Sequence, residues 1–152
     1  LPRQPRPQVM HVDAQRVGML RHRLAQRLPT LRLLTRPQAE LQQLAERIAP
    51  ALARALGERA QVQVLPCRSQ IGSGSLPVDR LPSVCLALAA PAQAQRAGHW
   101  PERLAEALRG LPIPVIGRIQ DQQVRLDLRG LDGLEAERAF VAQLSQLALV
   151  RF

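Results

Sequence analysis

The chain has 152 residues, enough for one domain with a real core, and a net charge of +9 whose basic residues are all arginine. Lysine, asparagine and tyrosine are absent; aromatic residues make up 2% against 46% hydrophobic, so the core must be Leu, Val, Ile and Ala. Without lysine the chain cannot by itself form a Schiff base, supply a P-loop lysine or use a lysine base. The all-arginine usage fits a GC-rich genome, which weakens any step from charge to partner. Phe140, Phe152 and Trp100 lie outside basic clusters, so the stacking platforms of many nucleic-acid modules are missing.

Three prolines in the first seven residues, with Arg3 and Arg6 between them, forbid a helix start there; Val12 to Leu28 then carries apolar residues at loose helical spacing. Residues 1–27 are the least regular part of the chain. Thr35 followed by Gln38 matches a capping box. Leu41, Leu44, Ala45, Ile48, Leu52 and Leu56 then give one apolar helix face, which Pro50 should kink or divide and Gly57 should end. Gln61 to Leu65 alternates as a half-buried strand does, and Ser83 to Ala89 reads as a buried one. Pro91 to Gly98 reads as linker. Pro101 opens a helix with Leu104, Ala105 and Leu108 on one face, closed by Gly110. Pro112 and Pro114 force an extended entry into Val115 to Gln120. Asp121-Gln122 makes a turn, and Val124, Leu126 and Leu128 alternate on the return strand. A last helix is expected over Leu134 to Leu149. The order predicts an α+β fold, a small and mostly antiparallel sheet with helices on one face.

Between the first two strands lies a loop rich in Gly, Ser and Pro. Gly72 and Gly74 expose backbone N–H groups, and Ser69, Gln70, Ser73 and Ser75 add polar side chains. Such a loop either makes an ordinary turn or holds a phosphate or carboxylate without any charge of its own. It lacks the Lys-Ser/Thr ending of a P-loop. Cys67 and Cys85 are far apart in sequence, Cys85 reads as a small buried hydrophobe, and His11, His22 and His99 are scattered, so no metal site is expected. Arg80 and Arg129 read as surface partners of Asp79, Asp127 or Asp132. No apolar run approaches membrane length, so a cytoplasmic location is expected.

Four stretches taken together resemble bacterial selenocysteine synthase, L-seryl-tRNA(Sec) selenium transferase: Leu28 to Arg36, Ser69 to Ser83, Leu111 to Ile119 and Leu126 to Arg129. The resemblance covers roughly residues 28–149 and is to the C-terminal portion. It assigns 28–152 to a C-terminal small domain like that of fold type I, aspartate-aminotransferase-type enzymes, and leaves 1–27 as a poorly matching segment. The family is implied to use pyridoxal phosphate and selenophosphate to convert seryl-tRNA(Sec) to selenocysteinyl-tRNA(Sec), as a large homo-oligomer. Its cofactor lysine lies in a large domain upstream. The resemblance puts Ser69, Gln70, Gly72, Ser73, Gly74 and Ser75 at the edge of the cofactor cleft and makes Arg118 a substrate or anion contact. Arg3 and Arg6 match arginines implied to hold the selenium donor, although Pro-Gln-Val-Met10 follows them where the family has Asp-Lys-Met. The expectation is a fragment that is inactive alone, binds no cofactor alone, and exposes an apolar patch where the large domain or another subunit packs. The alternative is a basic, non-catalytic RNA- or protein-interaction module.

Overall fold

The computed structural model describes residues 27–69, 81–91 and 98–150. It divides into Leu1–Thr35 and Arg36–Phe152. In the first unit, helix α1 (Pro29–Thr35) begins at a proline and ends on Thr35, whose hydroxyl donates back to the Leu31 carbonyl at 2.8 Å. The expected capping box is thereby overturned, because the Thr35 side chain is spent on its own helix. In the second unit, helix α2 (Gln38–Leu56) has Pro37 at its N-cap in extended conformation, with no side-chain cap.

Helix α2 runs undivided through Pro50. Pro50 and Glu46, whose carbonyl the proline deprives of a donor, are both on the exposed side, where water can replace the lost bond. The opposite side buries Leu41, Leu44, Ala45, Ile48, Leu52 and Leu56, as the spacing predicts. Gly57 ends the helix at φ 55°, a left-handed conformation that glycine adopts without penalty.

Strands β1 (Gln61–Ser69), β2 (Leu81–Ala89), β3 (Arg118–Gln120) and β4 (Gln123–Asp127) form one sheet in the order β1-β2-β4-β3, every pairing antiparallel. Both strands flanking the Gly-Ser loop are longer than the sequence suggests, and both run through a proline. Pro66 is tolerated because β1 is an edge strand. Pro82 is tolerated because β2 pairs with β4 only over Cys85–Ala89, leaving its first residues with one neighbour. Residues 70–80, the rest of the Gly-Ser stretch, lie outside the described residues.

Directly opposed residues of antiparallel strands share a face. The register puts Val62, Val64, Val84, Leu86, Leu88, Val124 and Leu126 on one face, and all of them belong to or pack against the core with α2. The other face carries Leu65, Cys67, Ser69, Ser83, Cys85, Ala87, Arg125, Asp127 and Arg118. Helix α3 (Trp100–Arg109) buries Leu104, Ala105 and Leu108, and Pro101 sits in its first turn.

Two further boundaries differ. Val115 donates to the Leu108 carbonyl at 3.0 Å, which keeps it out of β3. Leu128 leaves the sheet to begin a 3₁₀ turn, Leu128–Gly130. Helix α4 (Gly133–Gln143) tightens into a 3₁₀ segment, Leu144–Leu149, where one continuous helix was expected. The Ser145 hydroxyl bonds back to the Ala142 carbonyl across this change.

The β3–β4 turn consists of Asp121 and Gln122 at φ 52° and 58°. Two left-handed residues between antiparallel strands make the tight turn that prefers glycine at its second position. Replacing Gln122 by glycine should stabilise the chain by roughly 0.5–1 kcal/mol, read as a higher urea midpoint at unchanged slope.

Candidate functional site

The site is built on the sheet face turned away from helix α2, around the carboxylate of Asp127. Ser69 donates its hydroxyl to Asp127 Oδ2 at 2.6 Å, and Ser83 donates to Oδ1 at 2.7 Å. The Arg129 N–H adds a third bond to Oδ1 at 3.1 Å, so Asp127 also caps the 3₁₀ turn. Both serines are buried, at 5% and 0% exposure. They flank residues 70–80, one at the end of β1 and the other near the start of β2. One half-buried carboxylate on β4 therefore ties the end of β1 to the start of β2.

A second lattice holds the same corner. Arg129 donates to the carbonyls of Arg36, at 3.1 Å, and Pro82. Arg36 in return donates to the carbonyls of Leu131, at 2.6 Å, and Arg129. Arg129 is 6% exposed, and burial pulls its pKa below the usual arginine value against the opposing pull of Asp127. The expected surface ion pair of Arg129 is thus corrected: its guanidinium is buried and bound to backbone carbonyls, while Asp127 meets its N–H.

Arg118 donates through Nη1 to the Arg68 carbonyl at 3.2 Å and stands directly opposite Arg125 in the register. Arg125 is met by Asp121 at 2.7 Å. The Nε atoms of Arg118 and Arg125 are buried without a hydrogen-bond partner among the described residues.

Arg118 is aimed by what precedes it. A Cβ on Gly117 would lie 2.7 Å from Val124 Cγ1 and 2.9 Å from Leu126 Cδ2, so only glycine lets this segment lie against β4. Upstream, Gln143 of α4 grips Ile113 twice, accepting from its N–H at 3.0 Å and donating to its carbonyl at 2.9 Å. The segment between borders an apolar cleft of about 340 Å³ lined by Ile113, Ile116, Leu128, Leu131 and Phe140. Ile113 and Ile116 are 57% and 72% exposed.

Cys67 and Cys85 are brought together on the same face. A hydrogen bond between the thiols, with help from Arg125 and Arg118 against the cost of burial, draws Cys85 down to about 7. The same bond, burial and Asp127 push Cys67 up. Cys85 is fully buried, as expected, but its neighbours are charged.

Of the residues singled out in the sequence, Ser69 and Arg118 share this face. Gln70, Gly72, Ser73, Gly74, Ser75, Arg3 and Arg6 lie outside the described residues, as do Asp79, Arg80, His11 and His22. Sequence reasoning missed Ser83 and Gln143 and gave Asp127 only an ion-pair role. The Asp127-Leu-Arg129 motif was the available signal for the carboxylate. Among the described residues no group of three or more His, Cys, Asp or Glu could hold a metal, and no helix is long and apolar enough to cross a membrane.

Two substitutions check this geometry. Asp127→Ala should cost about 2–4 kcal/mol in urea unfolding, because two buried hydroxyls lose a charged acceptor. Ser69→Ala should then cost much less in that background than in the parent, the signature of a shared interaction. Gly117→Ala should cost about 1–3 kcal/mol through overpacking against Val124 and Leu126.

The model of the L-seryl-tRNA selenium transferase family matches residues 12–132, a span that opens upstream of Leu28 and leaves Arg3 and Arg6 outside. The L-seryl-tRNA(Sec) selenium transferase of Klebsiella pneumoniae (strain 342) is 55% identical over 109 residues, 72% of this chain and 23% of the relative. That of Serratia proteamaculans (strain 568) is 52% identical over 122 residues, 80% of this chain and 25% of the relative. That of Photorhabdus laumondii subsp. laumondii is 50% identical over 113 residues, 74% and 24%. The chain spans about a quarter of the length of these curated relatives. With the family model matching more than half of it, this chain belongs to the L-seryl-tRNA selenium transferase family.

Proposed function

We propose that residues 28–152 are the C-terminal small domain of a pyridoxal-phosphate-dependent transferase that makes selenocysteinyl-tRNA(Sec) from seryl-tRNA(Sec) and selenophosphate. Residues 1–27 lead into that domain. The relatives' name and the quarter of their length that this chain spans support the reading. The cofactor does not fit this chain alone, because no lysine is present to take its aldehyde. The lysine must come from a large domain elsewhere, and the exposed Ile113 and Ile116 fit packing against that domain or another subunit.

What this chain supplies is one wall of the site. The observation that carries the reading is the juxtaposition of Arg118 and Arg125 across β3 and β4. Like charges directly opposite one another cost free energy unless an anion lies between them. Asp121 meets Arg125, but among the described residues no carboxylate meets Arg118. Paired guanidiniums suit a phosphate-type anion, which they bind through forked N–H groups. In seryl-tRNA the amino-acid carboxylate is esterified, so the anion is a phosphate of the tRNA, the cofactor or the selenium donor. The same reading assigns Ser69, which Asp127 fixes, and the residues Gln70, Gly72, Ser73, Gly74 and Ser75 that follow it to the edge of the cofactor cleft. Cytoplasmic location and homo-oligomeric assembly follow from the same reading.

Thiophosphate, standing in for selenophosphate, should bind the full chain and shift its arginine side-chain NMR signals. Arg118→Ala should weaken that binding about tenfold or more, the scale of one charge-assisted hydrogen bond. Equal binding by the variant would overturn the assignment. The chain mixed with pyridoxal phosphate and borohydride should retain no lysine adduct. A second reading, a basic RNA module, draws on the net charge of +9. Retarded tRNA migration at physiological salt, unchanged by Arg118→Ala, would favour it.

A further inference from the structure

The cysteines are 18 positions apart in sequence, yet the register makes them neighbours. Leu65 opposes Cys85 and Cys67 opposes Ser83, so the two cysteines lie on one diagonal of the face opposite the helices. Lying on adjacent strands of one face, each thiol acts on the titration of the other. Diagonal neighbours sit roughly 7–8 Å apart at Cα, at or beyond the ~7 Å above which a disulfide cannot close without moving the strands. Both cysteines are free. Cys67 is partly exposed and offers a way in, while Cys85 is fully buried behind it.

We propose that Cys67 and Cys85 form a two-thiolate site for a soft, two-coordinate monovalent cation, Cu(I). Two sulfurs on one diagonal, too wide for a disulfide, leave room for an ion to be held between them. Thiolate ligands select soft ions, and Cu(I) is the one served by two of them. Zinc requires four ligands. The nearest carboxylate, Asp127, is already engaged by Ser69, Ser83 and the Arg129 N–H. Charge favours the same ion. Binding Cu(I) releases both thiol protons to solvent and leaves a bis-thiolate complex of charge −1. Arg118 and Arg125, which both act electrostatically on Cys85, compensate that charge. The bound ion would also cross-link β1 to β2 two residues from Ser69 and Ser83, at the root of the Gly-Ser loop.

The test is anaerobic titration of the reduced, full 152-residue chain with Cu(I) against a chromophoric Cu(I) chelator. One equivalent should be taken from the chelator, Cys67 should become protected from alkylation, and excess Zn(II) should not displace the ion. Cys67→Ser and Cys85→Ala should each weaken binding by more than roughly 100-fold, beyond the range of outer-shell changes. If Cys85→Ala does not fold, Cys67→Ser decides, because that side chain is partly exposed. Absence of binding, parent-like affinity in Cys67→Ser, or a disulfide closed readily by mild oxidant would each overturn the proposal.

Discussion

The carboxylate of Asp127 is the constraint on which this corner of the molecule depends. It accepts two buried hydroxyls and a backbone N–H. Hydrogen bonds to a charged acceptor are worth about 1.5–3 kcal/mol each, whereas an unmet buried donor costs a comparable amount. The arrangement is therefore close to all-or-none. Ser69 and Ser83 have no reason to be buried without Asp127, and Asp127 would be a poorly solvated charge without them. Because the serines sit on either side of residues 70–80, a residue 44 positions beyond Ser83 fixes where the Gly-Ser loop leaves the sheet.

The neighbouring arginine lattice solves a different problem. Arg36 and Arg129 each donate to a carbonyl of the other residue. A buried guanidinium, Arg129, beside the half-buried one of Arg36 is repelled by it, and the structure meets the cost with main-chain oxygens and the nearby charge of Asp127. Five N–H donors in a planar fork can satisfy several carbonyls at once, which an ammonium on a flexible stem cannot do as well. The absence of lysine, a consequence of base composition in the sequence reading, thus has a structural use here.

The parts of the fold legible in the sequence were those encoded by local period. The buried face of α2, the core face of α3, the Asp121-Gln122 turn and the α+β class with a small antiparallel sheet all follow from spacing. The misread parts depended on partners. Pro66 and Pro82 fell outside the strands expected from the sequence, yet lie within them, because a proline's cost depends on whether its strand has a neighbour on that side, which topology decides. Thr35 looked like a cap because its hydroxyl could accept from the next helix or donate back to its own, and the Leu31 carbonyl took it. Arg118 was legible only through family resemblance. The proximity of Cys67 and Cys85 and the two bonds from Gln143 to Ile113 had no sequence signal, since each joins residues 18 or more positions apart.

The two faces of the sheet divide the labour. The face toward the helices consumes the aliphatic residues in which this chain is rich, and Leu86 and Leu88 of the central β2 strand are wholly buried there. Ser83, Cys85 and Ala87 on the other face are buried too, although they are absent from the hydrophobic core cluster. They are small, and the register sets Cys85 beside Leu65 of β1 and Ala87 beside Arg125 of β4. A floor of small side chains under a rim of guanidiniums has little to gain as packing. The register sets Arg118 and Arg125 side by side on the face turned away from α2, so the charge of this chain gathers where its aliphatic packing ends.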